Sequence, residues 1–290
     1  NLVAGGSGKT PIALWIAQQA RAAGAHPALL ARGWGGSAQG AREVNLAASP
    51  DEVGDEPLLL ARRSGLPVWI GRDRASAVDA LRARHPDVDL VVLDDGLQHY
   101  RLARDLELAV VDARGFGNGW RLPAGPLREA PARLASVDAV LAHGIDPARL
   151  RAFAGAVPVF TVSLAGAVLE RLIDAGDRRP ASAFAASPVH AVAGIGDPSR
   201  FFRHLEGLGL RVLPHAFPDH HRFCAADLAF GDDLPVVMTE KDAVKCRAFA
   251  HAAHWMLPVD AVPEPAFRDW LLARLEHLRS DRQSPARGPR

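Results

Sequence analysis

With 290 residues, 48% hydrophobic and 23% charged, the chain has the composition of an ordinary globular protein, long enough for one large domain or two moderate ones. Its 34 basic and 33 acidic residues leave a net charge of +1, which excludes a strong field toward nucleic acid, and two cysteines, Cys224 and Cys246, exclude a disulfide framework and follow no metal-ligand spacing. No apolar run approaches the roughly 20 residues that span a bilayer, and no signal peptide is visible.

The chain opens on NLVAGGSGKTP, residues 1–11. The glycines Gly5, Gly6 and Gly8 let backbone N–H groups converge on phosphate oxygens, Lys9 neutralises β and γ charge, and Thr10 offers a hydroxyl to Mg²⁺. The strict pattern GxxxxGK[ST] asks for glycine where this chain has Val3, and the second lysine of partner-switching ATPases is replaced by Ala4. Such a loop is normally launched from a buried strand. Nothing precedes Asn1, so the first strand and the natural N-terminus are expected to be missing from this sequence.

Behind the loop, Ile12, Trp15, Ile16 and Ala20 recur at helical spacing over 11–21. Continuous apolar runs follow near residues 28, 68, 91, 109 and 139, alternating with helical patterns. Strands covered on both faces by helices read this way, which predicts an α/β fold with a doubly wound parallel sheet of the P-loop NTPase-like kind. Residues 157–174 break the rhythm with two β-rich pieces around Ala165-Gly166, predicting a β-ribbon linker, followed by a polar linker, AGDRRPASAFAASP. Four more strands then imply a second, smaller α/β domain, with helices at 198–208, from Ala225, and at 264–278. The division expected is 1–156 for the nucleotide domain, 157–187 for ribbon and linker, 188–279 for the smaller domain, and a frayed tail over 280–290.

Chemistry concentrates at three places. VDLVVLDDG ends a buried strand in Asp94-Asp95, where a P-loop protein needs a carboxylate for Mg²⁺, and Asp94 is the better metal candidate. Gln98 and His99 follow at once. Phosphoryl transfer also needs a group to orient the attacking hydroxyl and accept its proton; VGDEP, with Asp55, and FPDHHRF, with Asp219, His220 and His221, both qualify.

Seven stretches in order, NLVAGGSGKTP, ARGWGG, GDEPLLLA, LDDGLQHYRLARDLELAVVD, FGNGWRLPAGPLRE, FPDHHRF and TEKDAVKC, resemble the tetraacyldisaccharide 4'-kinases, the lipid A 4'-kinases of Gram-negative bacteria. The resemblance runs from Asn1 to about Leu278. It implies ATP-dependent phosphorylation of the 4'-hydroxyl of tetraacyldisaccharide 1-phosphate to lipid IVA, with ATP and Mg²⁺ as cofactors. The partners it implies are a lipid-linked disaccharide and, by peripheral contact, the cytoplasmic face of the inner membrane. By the same resemblance, Ser7 and Gly8 join the cradle, Lys9 and Thr10 bind phosphate and Mg²⁺, and Asp94, Asp95 and Glu129 are the acidic residues, Thr10, Asp94 and Glu129 being taken as metal ligands. Asp55 and His220 form the dyad that activates the hydroxyl, one from each domain, so that closure assembles it. ARGWGG departs from the family's common RGYGG form at Trp34, which keeps an aromatic face and loses a hydroxyl. Arg32, Arg72, Arg74, Arg121 and Arg128 are candidates for the acceptor's 1-phosphate. Two readings stand beside the kinase: a P-loop GTPase or ATP-driven switch, with T-E-K-D (239–242) as a guanine-reading element, and a non-catalytic nucleotide sensor that dispenses with Asp55 and His220.

Overall fold

The structure, a computed structural model, describes residues 1–3, 5 and 8–283. In chain order the first elements are α1 (Lys9–Ala22), β1 (Pro27–Ala31), β2 (Arg42–Glu43), α2 (Pro50–Val53), α3 (Asp55–Ser64) and β3 (Val68–Ile70). Then come α4 (Arg74–Arg84), β4 (Leu90–Leu93), β5 (Leu108–Asp112), β6 (Ala139–His143), α5 (Pro147–Ala154), β7 (Val159–Ala165), β8 (Val168–Arg171) and β9 (Asp174–Pro180). The remainder is β10 (Pro188–Ala193), α6 (Pro198–Gly207), β11 (Arg211–Ala216), β12 (Val236–Thr239), α7 (Glu240–Cys246), β13 (His254–Leu257), β14 (Asp260–Pro263) and α8 (Pro265–Gln283). By contacts these form two compact units. The first takes residues 1–31, 73–164 and the chain from Ala261; the second takes 32–72 and 165–260.

In the first unit the apolar runs become parallel strands, as their continuous rather than alternating pattern demands. β1 pairs with β4, and β5, β6 and β7 follow one another in parallel register, with β14 beside β7. All five residues of β1 and of β6 are buried. α1 buries Ile12, Leu14, Ile16 and Ala20, and α8 adds Phe267, fully buried between Trp15, Phe160 and Trp270 at ring separations of 5.4–5.9 Å. Between the outer edges of β4 and β5 lies a cavity of about 1050 Å³ lined by Val91, Leu93, Leu108, Val110, Ile16 and Leu275, with Lys9, Asp94 and Asp95 also on its wall.

The second unit is built on a six-stranded sheet in the order β11-β10-β12-β13-β8-β9, its first four strands parallel and the last two an antiparallel ribbon. Its core joins Leu169, Val189, Val237, Trp255 and Phe201. α3 packs beside α7.

Three readings of the sequence are corrected. The β-rich pieces around Ala165-Gly166 do not pair with each other: β7 joins β6, and β8 pairs with β9, which is the supposed linker AGDRRP. Period-two and apolar signals announce a strand but not its partner, and β9 carries neither signal because it is an almost wholly exposed edge without an apolar face. The helix expected from Ala225 is a single 3₁₀ turn to Leu228. The tail expected from 280 is helical to Gln283, with Arg279 donating to the carbonyls of Ala23 and Gly24 and pairing with Asp89; residues 284–290 lie outside the described residues. Among the described residues no helix is long and apolar enough to cross a membrane, and both cysteines are free thiols.

Candidate active site

The phosphate loop meets its carboxylates in the first unit. Gly8, at φ 78°, caps the N-terminus of α1, and the helix begins at Lys9 with its unsatisfied N–H groups and positive dipole end facing the loop. Thr10 Oγ1 donates to Asp94 Oδ2 at 2.9 Å, and Lys9 Nζ donates to Asp95 Oδ1 at 2.8 Å. The tip of β4 thus brings to the loop both acids expected of it. Gly6 and Ser7 lie outside the described residues; Gly5 is at φ 95°, with the Arg114 guanidinium against it, 3.0 Å from where a Cβ would stand. Arg114 is itself held by Asp112 at the end of β5. No motif in the sequence marked it.

Gly8 permits no other residue without cost. A Cβ there would lie 2.9 Å from Leu164 Cδ1, and its φ is one that side-chain-bearing residues adopt only at about 1–3 kcal/mol. Gly8→Ala is therefore expected to lower the melting temperature by several degrees and to weaken phosphate binding; a variant that melts with the wild type shows that the loop tolerates the strain.

Asp95 stands at the centre of a charged network. Arg128 Nη1 donates to Asp95 Oδ2 at 2.8 Å and to Gln98 Oε1 at 3.1 Å, and Gln98 Nε2 donates to Glu129 Oε1 at 2.7 Å. Burial alone would raise the Asp95 carboxyl, but the Lys9 charge and hydrogen bond and the Arg128 hydrogen bond hold it well below the usual carboxylate range. Glu129 accepts on its other oxygen from Tyr100 Oη at 2.6 Å and pairs with Arg133 at 3.3 Å. Its link to the phosphate loop runs through Gln98, Arg128 and Asp95. His99 Nε2 accepts from the backbone N–H of Arg74 at 3.2 Å, tying the turn after β4 to the start of α4.

The second constellation lies wholly in the second unit. Asp55 is the first residue of α3, 6% exposed, and His220 Nδ1 lies 3.1 Å from its Oδ2. With Nδ1–H donating to the carboxylate, Nε2 is the lone-pair nitrogen of the neutral ring, which is the tautomer a general base requires. The hydrogen bond to Asp55 raises the His220 pKa above the ordinary histidine value, against the opposing effects of burial and the Lys241 charge. Burial would raise Asp55, but the His220 hydrogen bond and the Lys241, His220 and Lys245 charges bring it below its ordinary value. The two partners, expected from different domains, fall in one unit, because contacts group 32–72 with 165–260. A cavity of about 130 Å³ opens onto it, lined by Trp34, Asp55, His220, Arg222, Phe223 and Lys245. Trp34 keeps the role of an aromatic face, 61% exposed and stacked beneath Arg32 at 5.4 Å.

Among the described residues only two non-glycine residues have positive φ, Asp95 at 56° and His220 at 60°. Each such conformation costs roughly 1 kcal/mol or more and persists where its surroundings over-determine it, as functional sites do. Both residues close tight turns: Asp95 follows β4, and His220 precedes the His221 N–H that donates to Pro218 O at 3.1 Å.

Other expected residues have structural work. His221 bonds Asp227 at 3.1 Å and packs on Phe217 and Phe223. Of the arginines, Arg74 is 2% exposed and Arg128 is committed to Asp95, while Arg72 and Arg121 are exposed. T-E-K-D is not a guanine reader: Asp242 is fully buried and accepts from Thr239 Oγ1 at 2.7 Å and from the Gly194 N–H at 2.9 Å, while Thr239 Oγ1 caps α7 by accepting from the Asp242 N–H. Among the described residues no group of three or more His, Cys, Asp or Glu could hold a metal ion. Thr10 and Asp94 nonetheless offer the hard oxygen donors that suit Mg²⁺, an ion usually held by one or two protein ligands beside substrate phosphates.

Comparison with known proteins places these residues in context. The family profile described as Tetraacyldisaccharide-1-P 4'-kinase matches residues 1–276. The tetraacyldisaccharide 4'-kinase of Dechloromonas aromatica is 51% identical over 276 residues, covering 95% of this chain and 82% of that protein. That of Azoarcus sp. is 53% identical over 282 residues, covering 96% and 81%, and that of Pseudomonas aeruginosa is 52% identical over 282 residues, covering 96% and 82%. Among solved structures, LpxK from Aquifex aeolicus, crystallised in complex with ATP, superposes with a TM-score of 0.79 at 26% identity, covering 96% of this chain and 86% of that one.

Proposed function

The chain belongs to the tetraacyldisaccharide-1-phosphate 4'-kinase family, and on that premise we propose that Lys9, Thr10, Asp94, Asp95, Asp55 and His220 carry an ATP-dependent transfer of phosphate to the 4'-hydroxyl of a tetraacyldisaccharide 1-phosphate, giving lipid IVA. The observation that carries the reading is the convergence of Lys9 and Thr10 from the loop on Asp95 and Asp94 at the tip of β4. Family membership supplies the identity of the acceptor.

Lys9 exchanges its contact with Asp95 for the β- and γ-phosphate oxygens, and Arg128 then keeps Asp95 neutralised. Thr10 and Asp94 are the residues that would hold Mg²⁺, and the chemistry the ion would supply there is compensation of the charge on the transferring phosphoryl group. Glu129 orders Gln98 and, through it, Arg128; its oxygens already accept from Gln98 and Tyr100, so its part in holding metal is indirect. His220 Nε2 accepts the proton of the attacking 4'-hydroxyl while Asp55 keeps the ring in the Nδ1–H tautomer and stabilises the imidazolium that forms. The lipid-linked acceptor places the work at a membrane surface, peripherally, on the cytoplasmic face of the inner membrane where ATP is available.

Incubation with γ-labelled ATP and tetraacyldisaccharide 1-phosphate in detergent tests the whole reading. Label is expected in the lipid, on the 4'-oxygen. Label released only as inorganic phosphate would favour the switch NTPase, and no turnover with intact ATP binding the nucleotide sensor.

A further inference from the structure

TEKDAVK carries two lysines four residues apart, and α7 puts them on one face. Lys241 Nζ lies 3.4 Å from His220 Nε2, and Lys245 Nζ lies 3.9 Å from Asp55 Oδ2. The two ends of the dyad thus each meet an ammonium from the same helix. α7 is firmly placed to do this. Thr239 Oγ1 caps it by accepting from the Asp242 N–H and donates to the Asp242 carboxylate, Asp242 also pairs with Lys245 at 2.7 Å, and Glu240 pairs with Arg63 while accepting from the Val259 N–H at 2.9 Å. Lys245 is 8% exposed on its side chain and sits over the Phe223 ring at 5.0 Å.

Lys241 is differently disposed. Besides His220 it faces Glu56 Oε1 at 3.3 Å and Asp219 Oδ1 at 3.2 Å, so it has two carboxylates to turn to when it leaves the imidazole. We infer that Lys241 is a positioning residue for His220: in the absence of acceptor it donates to the Nε2 lone pair, fixes the Nδ1–H tautomer, and yields Nε2 to the acceptor hydroxyl by shifting onto Glu56 and Asp219. An ammonium at this place disfavours a second proton on the ring, opposing Asp55, and so keeps the base neutral at a lower pH than the Asp55 pair alone would. The charged groups around the ring are Asp55 and, through Lys241, Glu56 from α3; Lys241 and Lys245 from α7; and Asp219 of its own loop, 3.8 Å from Nε2. His221 and Arg222 of that loop are turned to Asp227 and Asp51. The inference deepens the proposed reaction and rests on His220 being the proton acceptor there.

The test is a proton NMR titration of the His220 ring, identified among the 12 histidines by its absence from the His220→Gln spectrum, with the pH dependence of kcat measured in parallel. Lys241→Met is expected to raise the His220 midpoint by about one pH unit, the Coulomb effect of one charge at this distance in a water-like dielectric. Lys241→Arg is expected to hold it within a few tenths. Should Lys241→Met fail to fold, Glu56→Gln in the first turn of α3 carries the test: freeing Lys241 of one anion lowers the midpoint. An unchanged midpoint in folded Lys241→Met, an equal rise in Lys241→Arg, or no fall in Glu56→Gln would overturn the inference. A midpoint that moves while the acidic limb of kcat stays fixed upholds the placement of Lys241 and removes His220 from the reaction instead.

Discussion

Lys9→Ala is expected to lower kcat by at least about a hundredfold and to weaken ATP binding in the same variant. A positive group preorganised on transferring phosphate is among the largest single contributions an active site makes, and removing one such donor typically costs 10²–10³-fold. Here the loss has a second component. Lys9 is bonded to Asp95 at 2.8 Å, and without it the carboxylate retains Arg128 at 2.8 Å but loses the charge that most depresses its pKa. The triphosphate would then approach an acid whose negative charge is only half compensated. Isothermal titration with a nonhydrolysable ATP analogue, beside steady-state kinetics, separates the two effects. ATP affinity equal to the wild type's would contradict the role assigned to Lys9. Lys9→Arg keeps the charge but not its point-like geometry, and is expected to recover binding more than rate.

His220→Ala is expected to leave ATP binding nearly intact and to lower kcat by about 10²–10⁴-fold, the usual range for a general base. The residue lies in the second unit and makes its bonds to Asp55 and Lys241, so its loss leaves the Lys9–Asp95 and Thr10–Asp94 pairs untouched. The pH profile gives the sign. A base works only when neutral, and the hydrogen bond to Asp55 raises the His220 pKa; the rate should therefore fall on acidification through a midpoint above the ordinary histidine value of about 6.5, and that limb should vanish in His220→Ala. Asp55→Asn keeps the shape of the side chain but offers an amide where Nδ1–H needs a carboxylate, and is expected to lose nearly as much as His220→Ala. Because the two act as one unit, the double variant should be scarcely worse than either single one. Turnover unchanged in His220→Ala would leave the proton without this acceptor.

What the sequence determined by itself is what neighbouring residues determine. Apolar runs without alternation announced buried parallel strands, helical spacing behind GGSGKT announced α1, and two aspartates closing LVVL announced acids at a strand tip. Seven motifs in order made the family legible before any contact was known. The tertiary structure alone decided how distant segments meet. Asp55 and His220 are 165 residues apart and no periodicity joins them; packing α3 beside α7 and the 218–221 turn does. The same packing drew residues 32–72 into the second unit, gave the exposed strand β9 to β8, and spent T-E-K-D on a helix cap instead of a base. Asp95 and His220 also adopt left-handed backbone, which Asp and His tolerate better than most residues but which nothing in their neighbouring sequence announces. Local signals report the energy of a few adjacent dihedrals and the face a side chain shows. The partner on that face is chosen by burial and hydrogen bonding summed over the whole unit, which short-range patterns do not contain.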